Sequence, residues 1–187
     1  MRDTIIGTIM KYFDELKRTM EWVAGQPGTL FVGQTVAGPG TFMFQTLRDL
    51  PKEKTLEMPI NESFQMQFTL GLALAGYVPI SVYPRQNFLL IATADMANML
   101  DKIPVISSNQ LLPRIIIRAA TGPDSPVHPG HQHVGNYAEG FRKMFHWIEV
   151  VELEEPGDIF PAYKHALERT DSRSTMLIEH GNYYQQK

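Results

Sequence analysis

Glu57-Met58-Pro59-Ile60-Asn61-Glu62-Ser63-Phe64 contains the clearest structural signal in this sequence of 187 residues. A short extended run ends at Pro59, and Asn61 is well placed to cap a helix that begins at the next residue. Residues 68–80 are apolar and rich in small side chains, which allows that helix to pack closely before the chain enters another strand. The pattern therefore predicts that Glu62 projects its carboxylate from a junction between a strand and a helix.

The same alternation of strand and helix continues along the chain. Strands are predicted over residues 29–32, 55–58, 78–83, 114–119, 148–153 and 176–179. Helices are predicted over residues 5–23, 41–50, 62–76, 87–102, 137–144 and about 158–168. This order favours a three-layer α/β fold, in which helices cover both faces of a mostly parallel sheet. Functional residues are then expected near the carboxyl ends of the strands.

Composition narrows the class of protein. With 43% hydrophobic and 20% charged residues, the chain can build one full core, so a single domain over residues 1–187 is predicted. A formal net charge of −3 does not indicate the basic surface that nucleic-acid binding requires.

No run reaches the roughly 18 apolar residues of a membrane span, and no signal-peptide pattern is seen, so a cytoplasmic location is predicted. The absence of Cys excludes disulfides, thiolate metal sites and a Cys nucleophile.

A Pro- and Gly-containing loop brings together His128, His131 and His133. Three imidazoles so close in sequence suggest either a metal site or proton-transfer groups beside an anionic substrate. Zinc fits poorly, because no Cys, no helix-borne His pair and no obvious fourth ligand accompany them. No metal ligand is therefore assigned, and a solvated loop is the alternative interpretation.

Several segments, in this order and spacing, resemble the pyrimidine-binding domain of thiamine diphosphate enzymes, closest to the β subunit of the first component of 2-oxo acid dehydrogenases. The segments cover residues 30–33, 58–62, 71–80, 87–88, 94–98 and 175–180. The resemblance extends over nearly the whole chain. It implies a thiamine diphosphate-binding fold of the pyrimidine type and an enzyme acting on a 2-oxo acid or a ketose.

The resemblance also implies roles for individual residues. Glu62 matches the Glu that activates the cofactor through a ring nitrogen of its aminopyrimidine, although a Glu in the first turn can also simply favour the helix dipole. His131, followed by Gln132, matches a loop His that faces the substrate, with His133 as a register alternative. Its implied role is to hydrogen-bond or protonate a substrate oxygen. His128 is a further candidate for substrate contact.

The third predicted strand is followed by the position at which the family stacks aromatic residues on the aminopyrimidine. Here Arg85 occupies that position. A guanidinium group can lie flat on an aromatic ring, and Tyr83 or Phe88 could supply an aromatic face instead. The alternative interpretation makes Phe88 a core residue and Arg85 a surface cation.

The family binds the diphosphate and its magnesium through a separate domain that carries Gly-Asp-Gly, and this sequence lacks that motif. Its one Gly-Asp pair, Gly157-Asp158, is followed by Ile159. Neither a diphosphate-binding domain nor the C-terminal domain of transketolases is recognised. The resemblance therefore implies an α-type partner subunit that holds most of the magnesium and diphosphate, in a heterotetramer, or at least a homodimer. The alternative is a non-catalytic interaction or regulatory protein that retains the fold.

Overall fold

The computed structural model describes residues 11–126 and 128–185. They form a six-stranded sheet in which every neighbouring pair of strands is parallel. The strands are β1 (Thr29–Gly33), β2 (Thr55–Glu57), β3 (Val78–Tyr83), β4 (Ile116–Thr121), β5 (Ile148–Leu153) and β6 (Ser174–His180). Their order across the sheet is β2-β1-β3-β4-β6-β5. All six predicted strands are confirmed, with shifts of a few residues at their ends.

Helices cover both faces of the sheet. They are α1 (Tyr12–Ala24), α2 (Phe42–Gln45), α3 (Glu62–Leu74), α4 (Gln86–Leu89), α5 (Thr93–Asp95), α6 (Ile103–Ile106), α7 (Ala138–Met144) and α8 (Pro156–Glu168). One apolar core joins α1 and α8 to the sheet, and a second core joins α3, α4 and α7 to its other face. The predicted three-layer α/β fold is therefore confirmed. Within the described ranges, no helix combines the length and apolarity that crossing a bilayer requires.

Two predicted helices differ from the structure. The helix predicted over 41–50 is a single turn, and the hydroxyl of Thr46 at its end accepts a hydrogen bond of 2.8 Å from the buried Arg118 Nη2. The helix predicted over 87–102 is interrupted after α4 and ends in a π-helical turn, Met96–Leu100. That wide turn places Asp101 where its carboxylate accepts two backbone N–H groups. The part of the first predicted helix before α1, residues 5–10, lies outside the described residues.

A fully buried ion pair connects β4 to β6. Arg118 Nε donates to Glu179 Oε1 at 2.6 Å, and Nη2 donates to Oε2 at 3.0 Å. The hydroxyls of Tyr163 and Tyr184 also donate to this carboxylate. Burial by itself would lower the pKa of the guanidinium, but attraction to Glu179 and the two tyrosines raises the pKa of Arg118 above its ordinary value. The charges thus compensate each other where no water reaches them.

We expect Glu179→Gln to lower the free energy of unfolding by about 3–5 kcal/mol, because it leaves the Arg118 charge buried without a counter-charge. Guanidinium chloride unfolding measures the change. Glu168→Gln is the matched control, since Glu168 pairs with Lys164 on the exposed surface and should alter stability by less than about 1 kcal/mol. Similar losses in the two variants would contradict the importance of the buried pair.

Candidate functional site

Glu62 begins α3 directly beyond the carboxyl end of β2. Asn61 adopts extended dihedral angles, and its side-chain oxygen accepts the backbone N–H of Phe64 at 3.0 Å. The predicted cap and the strand-to-helix junction are therefore confirmed. This geometry turns the chain abruptly, so the Glu62 side chain lies inside the protein with 6% of its surface exposed.

One oxygen of the Glu62 carboxylate is held by a hydrogen bond. Gln34, which follows β1, donates from Nε2 to Glu62 Oε1 at 3.2 Å, and it is equally buried. No residue in the described ranges donates to Glu62 Oε2. A carboxylate oxygen accepts up to two hydrogen bonds, so Oε2 can accept an N–H group or share a proton with a ligand.

Tyr83 supports this arrangement from the end of β3. Its hydroxyl donates to the backbone carbonyl of Glu62 at 3.3 Å, and its ring is fully buried. Burial raises the pKa of Tyr83 well above its ordinary value, so it stays a neutral donor. Because the buried ring has no exposed face, Phe88 is the predicted aromatic residue whose ring remains partly accessible.

A cleft of about 270 Å³ contains three of the predicted residues. Arg85, Phe88 and His133 line it together with Thr41, Pro84 and Pro129. The rings of Phe88 and His133 meet edge to face, with centroids 5.5 Å apart. A flat ligand entering this cleft would meet an aromatic ring, a guanidinium group and an imidazole.

Arg85 lies between this cleft and a larger one of about 530 Å³, which Arg48, Phe42 and Phe44 also line. Its Nη1 donates to the carbonyl of Gly122, just beyond β4. Burial lowers the pKa of the Arg85 guanidinium, against the opposing effect of Tyr184. Arg85 is thus half-buried at the carboxyl edge of the sheet, where it joins the ends of β3 and β4.

The loop that carries the three histidines, residues 128–133 and those that follow, is attached to α4 by side-chain amides. Asn87 Nδ2 donates to the Tyr137 hydroxyl at 3.0 Å, and Asn87 Oδ1 accepts the Gly135 N–H at 3.2 Å. Gln86 Oε1 accepts the Tyr137 N–H at 2.7 Å. These bonds hold the loop beside the cleft.

The three histidines occupy different surroundings within that loop. His133 ends a short 3₁₀ turn and packs on Phe88, whereas His131 begins the turn and is exposed. His128 is also exposed, and its Nδ1 accepts the Gly130 N–H at 3.0 Å. The structure thus brings His133 into the cleft and leaves His128 and His131 outside its lining. Across residues 11–126 and 128–185, His, Asp and Glu side chains form no group of three suited to a metal ion.

Gln34 was missed by the sequence analysis. Its signal was its position, because it directly follows a predicted strand, and the carboxyl ends of parallel strands share one edge. The contact between Gln34 and Glu62 spans 28 positions, so no local pattern indicates it.

Comparison with solved structures finds chains of similar architecture. A split-gene transketolase, described as an inactive beta4 tetramer, superposes with a TM-score of 0.68 over 93% of this chain and 52% of that chain, at 13% identity. Transketolase from Campylobacter jejuni subsp. jejuni NCTC 11168 superposes with a TM-score of 0.69 over 92% of this chain and 26% of that chain, also at 13% identity. No protein-family model and no curated protein matches.

The chain therefore has a transketolase-like fold and spans about half the length of one of these neighbours and about a quarter of the other. Identity of 13% carries the likeness no further than the fold. The finer resemblance to the β subunit of 2-oxo acid dehydrogenases stays a prediction.

We expect Tyr83→Phe to lower the free energy of unfolding by about 1 kcal/mol, because it removes the hydrogen bond to the Glu62 carbonyl while keeping the buried ring. Urea unfolding followed by circular dichroism measures the loss. Tyr77→Phe is the matched control, since Tyr77 is 47% exposed at the turn after α3. Equal stability of the two variants would show that the Tyr83 hydroxyl does not support the start of α3.

Proposed function

We propose that this chain is the pyrimidine-binding subunit of a thiamine diphosphate-dependent enzyme that acts on a 2-oxo acid or a ketose. The observation that carries the proposal is the buried Glu62 carboxylate, held through one oxygen by Gln34 at the start of α3. The transketolase-like fold supports it. A carboxylate such as Glu62 can bond a ring nitrogen of an aminopyrimidine, and Phe88, which lines a cleft that Glu62 does not line, can stack on a flat heterocycle.

When bound, thiamine diphosphate supplies the electron sink for making or breaking a carbon–carbon bond beside a carbonyl group. Glu62 would hold a proton at Oε2 and share it with a pyrimidine ring nitrogen, as general acid–base catalysis requires. Arg85 and Phe88 would restrict the plane of the ring. These are orienting and proton-holding roles, which are the usual contribution of a protein to cofactor chemistry.

A loop histidine would contact the substrate oxygen. Of the three candidates, the position of His133 in the cleft beside Phe88 favours it, although His131 matches the resembled family better. His128 would have a lesser role at the rim. A neutral or protonated imidazole can hydrogen-bond an oxygen that gains charge during the reaction.

The diphosphate and magnesium would be bound mainly by a diphosphate-binding, α-type partner subunit. The described residues offer no carboxylate cluster for the metal, and the outer surface of α3 fits a protein partner. Phe64 and Phe68 are exposed on this helix, and Ile60, just before it, is 84% exposed. The helix contains a single charged residue, Glu62. A helix that is apolar on its outer side is typical of one covered in an assembly.

The proposed assembly is a heterotetramer with two sites at the interfaces, or a homodimer. The description of the split-gene transketolase as a tetramer supports association of a chain of this fold. A cytoplasmic location is part of the proposal.

A second candidate function is non-catalytic interaction or regulation. The observation that favours it is the pair of departures at the stacking position, where Arg85 replaces an aromatic residue and Tyr83 is fully buried. A protein of this kind would keep the fold and the oligomeric surface without binding the cofactor productively.

We expect titration calorimetry to detect binding of thiamine diphosphate with magnesium only when the chain is mixed with a partner chain that carries the Gly-Asp-Gly motif. Glu62→Gln should still bind in the mixture but lose turnover by about 10²–10⁴-fold, because it cannot exchange a proton with the ring nitrogen.

Glu154→Gln serves as the control for this substitution, since Glu154 is an exposed residue beyond β5 and should behave as wild type. Absence of binding in both settings would reject the catalytic proposal and favour the regulatory one. Full activity of Glu62→Gln would reject the role of Glu62.

A further inference from the structure

The loop that follows β1 is held by a carboxylate from the neighbouring strand. Glu57, the last residue of β2, accepts three successive backbone N–H groups: Thr35 at Oε1 over 2.6 Å, and Val36 and Ala37 at Oε2 over 2.8 Å each. Thr35 has a φ of 55°, in the left-handed region that a non-glycine residue rarely adopts. Three charge-assisted hydrogen bonds explain how the loop keeps this conformation.

Hydrogen bonds to residues 57 and 58 hold the backbone on both sides of Gln34. On one side, the N–H of Met58 donates to the Gly33 carbonyl at 2.8 Å. On the other side, Glu57 binds the N–H of Thr35. The backbone of Gln34 is thus fixed before and after the residue, and its buried side chain is directed at Glu62.

We infer that Glu57 is a positioning residue for Glu62, acting through the β1–α2 loop and the amide of Gln34. This inference rests on the proposed function for its catalytic meaning, but the relay itself belongs to the chain without ligand. Hydrogen bonds connect Glu57 to the loop and Gln34 to Glu62, and the peptide chain connects the loop to Gln34. The relay fixes which carboxylate oxygen faces a ligand.

An amide suits the middle of this relay. Gln34 can donate Nε2–H to an ionised carboxylate, or accept at Oε1 from a protonated one after rotating its amide group. It can therefore hold Glu62 in either protonation state without adding a charge. A carboxylate in the same place would repel the ionised form of Glu62, and an apolar side chain would leave one buried oxygen without a partner.

The Glu57 carboxylate is bonded mainly to the loop. One of its oxygens accepts one N–H and the other accepts two. The residue is exposed, which means that the hydrogen bonds, rather than burial, determine its orientation.

Nuclear magnetic resonance of the ligand-free chain, with ¹³C-labelled Glu carboxyl groups, tests the relay. The Glu62 signal is identified by its loss in Glu62→Gln. In Glu57→Gln, we expect the amides of residues 35–37 to exchange with solvent at least about tenfold faster, because the substituted side chain has one acceptor oxygen where the carboxylate had two. We also expect the Glu62 carboxyl signal to move.

Gln34→Ala should move the Glu62 signal while leaving the exchange of residues 35–37 near its wild-type rate. Glu53→Gln is the matched control, since Glu53 is exposed in the 3₁₀ turn before β2, and it should change neither measurement. If Glu57→Gln does not fold, Glu57→Asp replaces it, with the same pair of changes expected from its shorter reach.

Faster exchange of the loop with an unchanged Glu62 signal would overturn the inference, as would an unchanged loop. The pair of readouts needs no cofactor. If the chain fails to bind thiamine diphosphate in calorimetry, the proposed function is rejected, and the two nuclear magnetic resonance readouts still test the relay. If binding does occur, a fall in kcat per cofactor-binding site with little change in KM is expected in Glu57→Gln, the sites being counted by calorimetry. A purely structural role would lower the number of sites and leave kcat per site unchanged.

Discussion

The buried ion pair between Arg118 and Glu179 connects several elements of this molecule. It lies between β4 and β6 and receives hydroxyl groups from Tyr163 on α8 and Tyr184 beyond β6. Arg118 also reaches Thr46 at the end of α2. The same buried charges therefore hold β4, β6 and α8 together with α2, which lines the larger cleft. Both partners are needed, because each of them alone would be a buried charge.

The candidate site is formed by residues at or just after the carboxyl ends of three strands. Gln34 follows β1, Glu62 follows β2, and Tyr83 closes β3. These strands are adjacent and parallel, so their carboxyl ends reach the same edge, and hydrogen bonds connect all three residues there. The order β2-β1-β3 also marks the position where the chain reverses its course across the sheet, which is the usual place for ligand crevices in open α/β sheets.

The sequence predicted the elements whose information is local. The six strands, the Asn61 cap and the position of Glu62 depend on periodicity and on nearest neighbours, and the structure confirms them. Contacts between distant segments were not predictable in this way. Residues far apart in the chain form the bonds of Gln34 to Glu62 and of Arg118 to Thr46. The burial of Tyr83 likewise depends on the helices that cover its strand, so its residue type alone did not distinguish a stacking surface from a core residue.

The central place of β1 between β2 and β3 affects how related chains can vary. Glu62 and Tyr83, which belong to the strands on either side of β1, are joined by a hydrogen bond. The segment that leaves β1 is bound by Glu57 at residues 35–37, within a few residues of the strand end. Insertions there would separate Gln34 from its partner. Residues 108–112, between α6 and β4, are all exposed and tolerate changes in length more readily. Over evolutionary time, we therefore expect the first segment to keep its length and the second to carry most of the insertions and deletions.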